Sequence, residues 1–285
     1  DYNQYWQSMV PYKEDFNNIN IQILSTTGFY DHAQHGSSYF FNEHYKYNKQ
    51  AEHYLLIGPY EHLGASSMPR PVVNGYKMDK SAHLSIDKVI YEWFDHTLKG
   101  GKKPQLLKDN VNYQVMGTNQ WAHSPTIKAM ANDSLKYYLN FNESDNGHQI
   151  IKNKPLNLAY KEQLIDFKDR STVNNSIRFN ILNKSVNERG GIELISAPFE
   201  QTIDISGMFS GSLSVEINKK DMDFVAVLYE VLANGTYFKL SHFKGRASYL
   251  FSPTKRRLMN SNQQEKLIFS NTHVVSKRIK KGNRI

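Results

Sequence analysis

Two residues have the types and the setting that proton-transfer chemistry requires. Asp31 closes the segment Gly28-Phe29-Tyr30-Asp31, and His62 closes Gly58-Pro59-Tyr60-Glu61-His62. A carboxylate can fix the tautomer of an imidazole, and an imidazole held in this way can take the proton of a nucleophile and return it to a leaving group. These are the acid and base roles of acyl transfer. On an α/β sheet the two groups sit on loops just past the carboxyl ends of neighbouring strands, acid first and histidine second, with a nucleophile ahead of both. Spacing alone does not single this chemistry out, because an Asp after one strand and a His after the next also occur in α/β proteins without catalysis.

Other residues near the pair have plainer readings. His32 and His35 lie at i, i+3 beside Asp31 and could be drawn with Glu61 and His62 as a metal site, but the helical H-x-x-x-H spacing of such sites is absent. The expectation is therefore no metal and no other cofactor, with Tyr30, His32, Tyr60 and Glu61 as candidates to line a substrate cleft, and His35 an alternative to His32 there. Gly36-Ser37-Ser38-Tyr39 imitates a nucleophile elbow, but Phe40-Phe41 supplies bulk where an elbow needs a glycine, and no strand runs into it. Ser37 and Ser38 are expected at a helix start. His44, His53, His83 and His96 read as ordinary surface or helix-packing residues, and Trp93 and Phe94 as core residues of a helix.

Positioning Asp31 and His62 requires two parallel strands with a crossover between them. Ile19, Ile21 and Ile23 lead into Leu24-Ser25-Thr26-Thr27-Gly28 as the first strand, residues 35–47 read as a helix, and Tyr54-Leu55-Leu56-Ile57 is a short, continuously apolar strand of the buried kind. A second helix is expected over 84–98, with Val89, Ile90, Trp93, Phe94 and Leu98 at helical spacing and Gly100-Gly101 as its stop. Beyond Lys102-Lys103-Pro104 the texture changes to short strands of period two, clearest at 111–116, 135–141, 211–217, 224–231 and 237–240. Asn234-Gly235 is a hairpin signal, read as a type I′ turn. The fold class is thus α/β plus all-β, with residues 1–103 in the first part and an antiparallel sandwich over 104–285.

Composition removes several functions. No run approaches the ~20 apolar residues of a membrane span, and the absence of cysteine excludes disulfides and thiolate chemistry. The formal charge of +8 invites a nucleic-acid reading, but from Lys255 onward nine Lys and Arg stand against Glu265 alone, so the rest of the chain is neutral. A basic end without a recognition motif reads as a solvated edge rather than a nucleic-acid site. The opening residues show no signal peptide, which leaves the compartment open, an exported or periplasmic one included; assembly as a homo-oligomer is also open.

The wording of the two segments adds a resemblance. Gly28-Phe29-Tyr30-Asp31 and Gly58-Pro59-Tyr60-Glu61-His62 closely resemble the corresponding segments of the cocaine-esterase-like (CocE/NonD) serine hydrolases, a family that includes α-amino-acid ester hydrolases, glutaryl acylases and X-Pro dipeptidyl peptidases. Trp93-Phe94-Asp95-His96-Thr97-Leu98-Lys99-Gly100 looks like the family's W-F-D-x-x-L-K-G helix, and Val115-Met116-Gly117 through Trp121 resembles the strand opening its C-terminal jelly roll. Ala197-Pro198-Phe199, Gly207, Asp223 and Gly245-Arg246-Ala247-Ser248-Tyr249 echo that domain's recurring pattern. The resemblance implies a Ser-His-Asp hydrolase of small esters or amides, with Asp31 as acid and His62 as base. It places the serine, in a G-x-S-Y-x-G elbow, on a segment upstream of Asp1-Tyr2-Asn3-Gln4-Tyr5-Trp6, and implies a jelly roll that continues beyond the Lys280-Lys281-Gly282-Asn283-Arg284-Ile285 end. The competing expectation is a non-catalytic jelly-roll module that binds carbohydrate or protein.

Overall fold

The computed structural model describes residues 3–142, 148–157, 159–168, 180–186 and 191–285. After a short helix α1 (Gln4–Ser8), strand β1 (Ile23–Gly28), helix α2 (Gln34–Tyr47) and strand β2 (His53–Gly58) form a parallel β-α-β unit in which Gly28 pairs with Gly58 at the carboxyl ends. The apolar run Leu55-Leu56-Ile57 is fully buried because β2 is bonded along both edges and covered on both faces. The small hairpin β3 (Val72–Val73) and β4 (Tyr76–Lys77) follows, turning at Asn74-Gly75 with both residues at positive φ, the geometry of a type I′ turn. Helix α3 (Ile86–Lys99) opens with the Ser85 hydroxyl accepting from the Lys88 amide and closes on Gly100 at φ 70°, where a left-handed residue is cheapest in glycine. Its buried side is Ile86, Val89 and Trp93.

Several sequence expectations change here. The first strand starts at Ile23, and Ile21 is exposed. Phe94 and Leu98, expected in the core with Trp93, lie on the exposed side of α3. Residues 111–116, expected to open the sandwich, instead join the first sheet: β5 (Val111–Val115) runs parallel to β2, and β6 (Gln120–Ser124) pairs antiparallel with β5, for a sheet order β1-β2-β5-β6. The segment 135–141 contributes only β7 (Tyr138–Asn140), paired with β8 (Gln149–Ile151).

From there on every described strand pair is antiparallel. β9 (Leu182–Asn183), β10 (Ile203–Gly207), β11 (Gly211–Val215), β12 (Asp223–Val231), β13 (Tyr237–Arg246), β14 (Glu265–Phe269) and β15 (Val275–Ile279) pair as β12-β13-β9, β10-β15 and β11-β14, with no closed barrel among them. The β12-β13 hairpin forms, but Asn234 does not take a positive φ; Gly235 alone does, and its amide donates to the Leu232 carbonyl. This is a three-residue loop built on a type I turn with glycine in the left-handed position. Of the basic C-terminal residues, Arg256, Arg257, Lys277 and Arg278 pair with Asp221, Glu265, Glu230 and Asp204 respectively.

The α/β and antiparallel parts share one core. Leu55, Leu56, Ile57 and Met116 pack in the same cluster as Phe238, Leu240, Val274, Val275 and Ile279. Backbone bonds continue across the junction: the Met116 amide donates to Ser276, and the Arg278 amide donates to Met116. The sheet that carries the Asp31 and His62 loops is therefore joined to β15 next to β5, and its β2 shares a core with β13 and β15.

Candidate active site

Two glycines bring the two loops together. A Cβ on Gly28 would lie 2.0 Å from the Tyr60 carbonyl oxygen, and one on Gly58 would lie 2.5 Å from the Tyr60 ring. With neither present, the ring of Tyr60 lies down over the strand ends, fully buried, its hydroxyl donating to the Ala82 carbonyl at 2.9 Å. The ladder then runs past the strands: the Phe29 amide donates to Gly58, and the Tyr30 amide donates to Tyr60.

That continuation sets Asp31 beside His62. Asp31 Oδ1 accepts from His62 Nδ1 at 2.9 Å and from the Ala33 amide at 2.9 Å, while Oδ2 accepts from the Thr27 hydroxyl at 3.1 Å. The Asp31 side chain is 4% exposed and that of His62 is 71% exposed. A carboxylate this deep requires such donors, since an unbonded buried charge is very costly. Because a carboxylate only accepts, Nδ1 of His62 carries the hydrogen and Nε2 presents a lone pair outward in the neutral ring. Asp31 is thus buried, although it lies on a loop past the end of its strand.

The other candidates separate into supports and surface groups. Glu61 caps the turn that carries His62, accepting from the Leu63 amide at 2.9 Å and the Gly64 amide at 3.2 Å. Tyr60 belongs to the core and not to a cleft. Tyr30 points inward as well, its hydroxyl donating to the Lys239 carbonyl on β13 at 3.0 Å, and burial raises its pKa, with Tyr76 and Glu230 adding to the rise. His32 stays at the surface next to Asp31. Ser37 and Ser38 fall within α2, past its N-cap at Ala33, so neither is a helix cap, and Ser38 is buried. His44 and His53 are buried: the His53 ring meets Ser25 Oγ at 2.8 Å and His44 at 3.3 Å, and desolvation, helped by His44, lowers its pKa to about 4.

Residues not singled out in the sequence also converge here. Gln34, buried at the start of α2, donates to the carbonyls of Gly28 and Val274, both at 3.0 Å, and accepts from the Val274 amide at 2.7 Å. Its neighbour His35 meets His273 edge-to-face with 4.4 Å between centroids, and His273 meets His242 in the same way at 4.2 Å. Burial is the largest cause lowering the pKa of His242 to about 4 and of His273 to about 3, and the surrounding cationic groups add to it. Among the described residues no three His, Asp or Glu are grouped to hold a metal ion, and no helix is long and apolar enough to cross a membrane.

Residues 107–275 match the model of the X-Pro dipeptidyl-peptidase C-terminal non-catalytic domain, and the chain belongs to that family. Solved structures share its fold over 99% of its length. They include an α-amino acid ester hydrolase (17% identity, TM-score 0.72), an aminopeptidase from a marine sediment Thaumarchaeota archaeon (14%, 0.71) and a CocE/NonD family hydrolase from Staphylococcus aureus (12%, 0.62). The chain spans 50%, 49% and 48% of those proteins respectively, about half of each. No curated protein sequence matches it. The neighbours are hydrolases, the resemblance to the CocE/NonD group holds, and the residues matched to the non-catalytic domain begin after both Asp31 and His62.

Proposed function

We propose that the chain is the C-terminal half of a serine acyl hydrolase that cleaves a small ester or amide, with Asp31 as acid and His62 as base. In this reading residues 1–103 complete an α/β-hydrolase domain and 104–285 form a jelly roll, which lends the strand Val111–Val115 to the sheet of the first. The observation that carries it is the 2.9 Å bond from Nδ1 of an exposed imidazole to a buried carboxylate, on adjacent loops past the ends of two parallel strands. The edge position of β1 in its sheet supports a further strand from an upstream segment, which would also bring the nucleophile. The serine hydroxyl gives its proton to Nε2 of His62 as it attacks the carbonyl. Asp31 stabilises the imidazolium, the proton passes to the leaving group, and water then attacks the acyl-enzyme by the same route, giving its proton to His62 and releasing the acid as the serine takes that proton back.

A fluorophosphonate probe tests this, because it labels only a serine served by a base and an oxyanion hole. The full-length protein should label at one serine upstream of Asp1, and His62→Ala should abolish the signal. Labelling mapped to Ser37 or Ser38 would sink the reading. The description of the family domain as non-catalytic favours a second reading, in which the antiparallel part is a binding module for carbohydrate or protein. Saturable glycan binding that survives loss of Asp31 and His62 would favour it.

A further inference from the structure

The segment 30–35 does more than present Asp31. Tyr30, Gln34 and His35 each reach from the acid-bearing turn to the antiparallel part: to the Lys239 carbonyl, to both backbone groups of Val274, and to the His273 ring. Gln34 is the most constrained of them. Its amide spends both kinds of hydrogen-bonding group on main chain, tying Gly28 at the end of β1 to Val274 just ahead of β15, and all three residues are sealed from solvent. Asp31 sits between Gly28 and Gln34 and is bonded to both through the backbone, its amide to the Gly28 carbonyl and its carbonyl to the Gln34 amide. A displacement of Val274 relative to β1 must therefore pass through the turn that aims the Asp31 carboxylate.

We propose that Gln34, assisted by Tyr30, is a positioning residue through which the antiparallel part, non-catalytic in itself, holds Asp31 in line with His62. The proposal rests on the reading of these two as acid and base, but its consequence is visible without turnover. Neutral histidine in water favours the hydrogen on Nε2, and only a well-placed acceptor at Nδ1 reverses that preference. If Gln34 places the acceptor, the tautomer of His62 reports on the Gln34 amide.

The experiment is histidine ¹⁵N NMR on the full-length protein, with the His62 resonances assigned by loss in His62→Ala. Wild type should show the Nδ1–H tautomer. Gln34→Met keeps the side-chain length and removes the three bonds, and His62 should then lose most of its Nδ1–H population. Tyr30→Phe deletes a single hydroxyl, and a smaller shift in the same direction is expected; it decides the matter should Gln34→Met fail to fold. Ser206→Ala breaks the hydroxyl bond to Ser276 between β10 and β15, away from Asp31, and should leave the tautomer unchanged. An unchanged His62 tautomer in the folded Gln34 and Tyr30 variants would overturn the proposal, as would an equal change in Ser206→Ala, which would mark general loosening. Failure of the acid–base reading would appear separately, as full activity in Asp31→Asn or His62→Ala.

Discussion

Among the described residues two carboxylates are buried against basic partners, and they are built to opposite ends. Asp31 meets His62 at 2.9 Å and Glu230 meets Lys277 at 2.8 Å, each carboxylate having further donors, the Asn283 amide at 2.5 Å in the second case. At the first pair the basic side chain is 71% exposed; at the second it is 10% exposed, lying over the Phe238 ring. An enclosed pair can only hold charge in place. A pair with one partner at the surface can exchange a proton with whatever docks there. The difference comes from the local chain: His62 rides on a Glu61-capped turn beyond the sheet, whereas Lys277 is inside β15, with neighbours bonded on both sides.

The largest effect that could break this comparison is on turnover. In the full-length protein, Asp31→Asn and His62→Ala should each lower kcat by about 10³-fold or more, since each removes part of the proton transfer. His62→Ala should melt close to wild type. Asp31→Asn should also lose about 1–3 kcal/mol, because it replaces a charged acceptor of the Ala33 amide and the His62 ring by a neutral one and turns the Thr27 hydroxyl from donor to acceptor. Activity of His62→Ala within about tenfold of wild type would remove its role as base.

At the enclosed pair the loss should be in stability alone. Glu230→Ala strands the Lys277 ammonium and should cost about 3–5 kcal/mol, read from denaturant midpoints, with kcat unchanged in whatever protein remains folded. Trp93→Ala should cost a similar ~3–5 kcal/mol through the cavity it leaves under α3.

The same line between local and distant causes separates the features that show in the sequence from those that do not. The placement of Asp31 and His62 past the ends of two neighbouring strands, the buried strand around Leu55-Leu56-Ile57 and the glycine stop of α3 were legible because each depends on a few adjacent residues. Tyr60 was misread as cleft-lining because its burial comes from missing side chains at Gly28 and Gly58, one of them on another strand. The parallel pairing of Val111–Val115 with β2 and the bond from Gln34 to Val274, 240 residues away, have no local signature at all. The hairpin at Asn234-Gly235 was readable but its turn type was not, since asparagine permits a positive φ without requiring one.

A third test uses acid. His53, His242 and His273 have folded pKa values near 4, 4 and 3, below the ordinary 6.5, so the unfolded chain binds protons that the native state refuses. Their contribution to stability is complete above about pH 6.5 and is lost as pH falls from there toward about 4. Urea midpoints at pH 7.5, 6 and 5 should decline in that order, and His273→Asn combined with His242→Gln should flatten the decline. An unchanged slope in the double variant would show that this histidine set does not govern the acid response.

The smallest expected effect sharpens the contrast between exposed and enclosed at neighbouring positions. Trp93 and Phe94 were both read as core from their helical spacing, yet Trp93 is 4% exposed and Phe94 is 51% exposed. Burial of apolar area is what a truncation forfeits, at about 25 cal/mol per Å², and a half-exposed ring has already left much of its area in water. Phe94→Ala should therefore change stability by no more than ~0.5–1 kcal/mol, against the several kcal/mol of Trp93→Ala, when both are measured by urea unfolding of the 285-residue chain. The comparison also tests the proposed upstream half. If that half covers α3 in the full-length protein, Phe94→Ala should cost clearly more there than in the chain alone, while Trp93→Ala should cost the same in both. Equal small costs for Phe94→Ala in the two settings would leave this side of α3 at the surface of the whole protein.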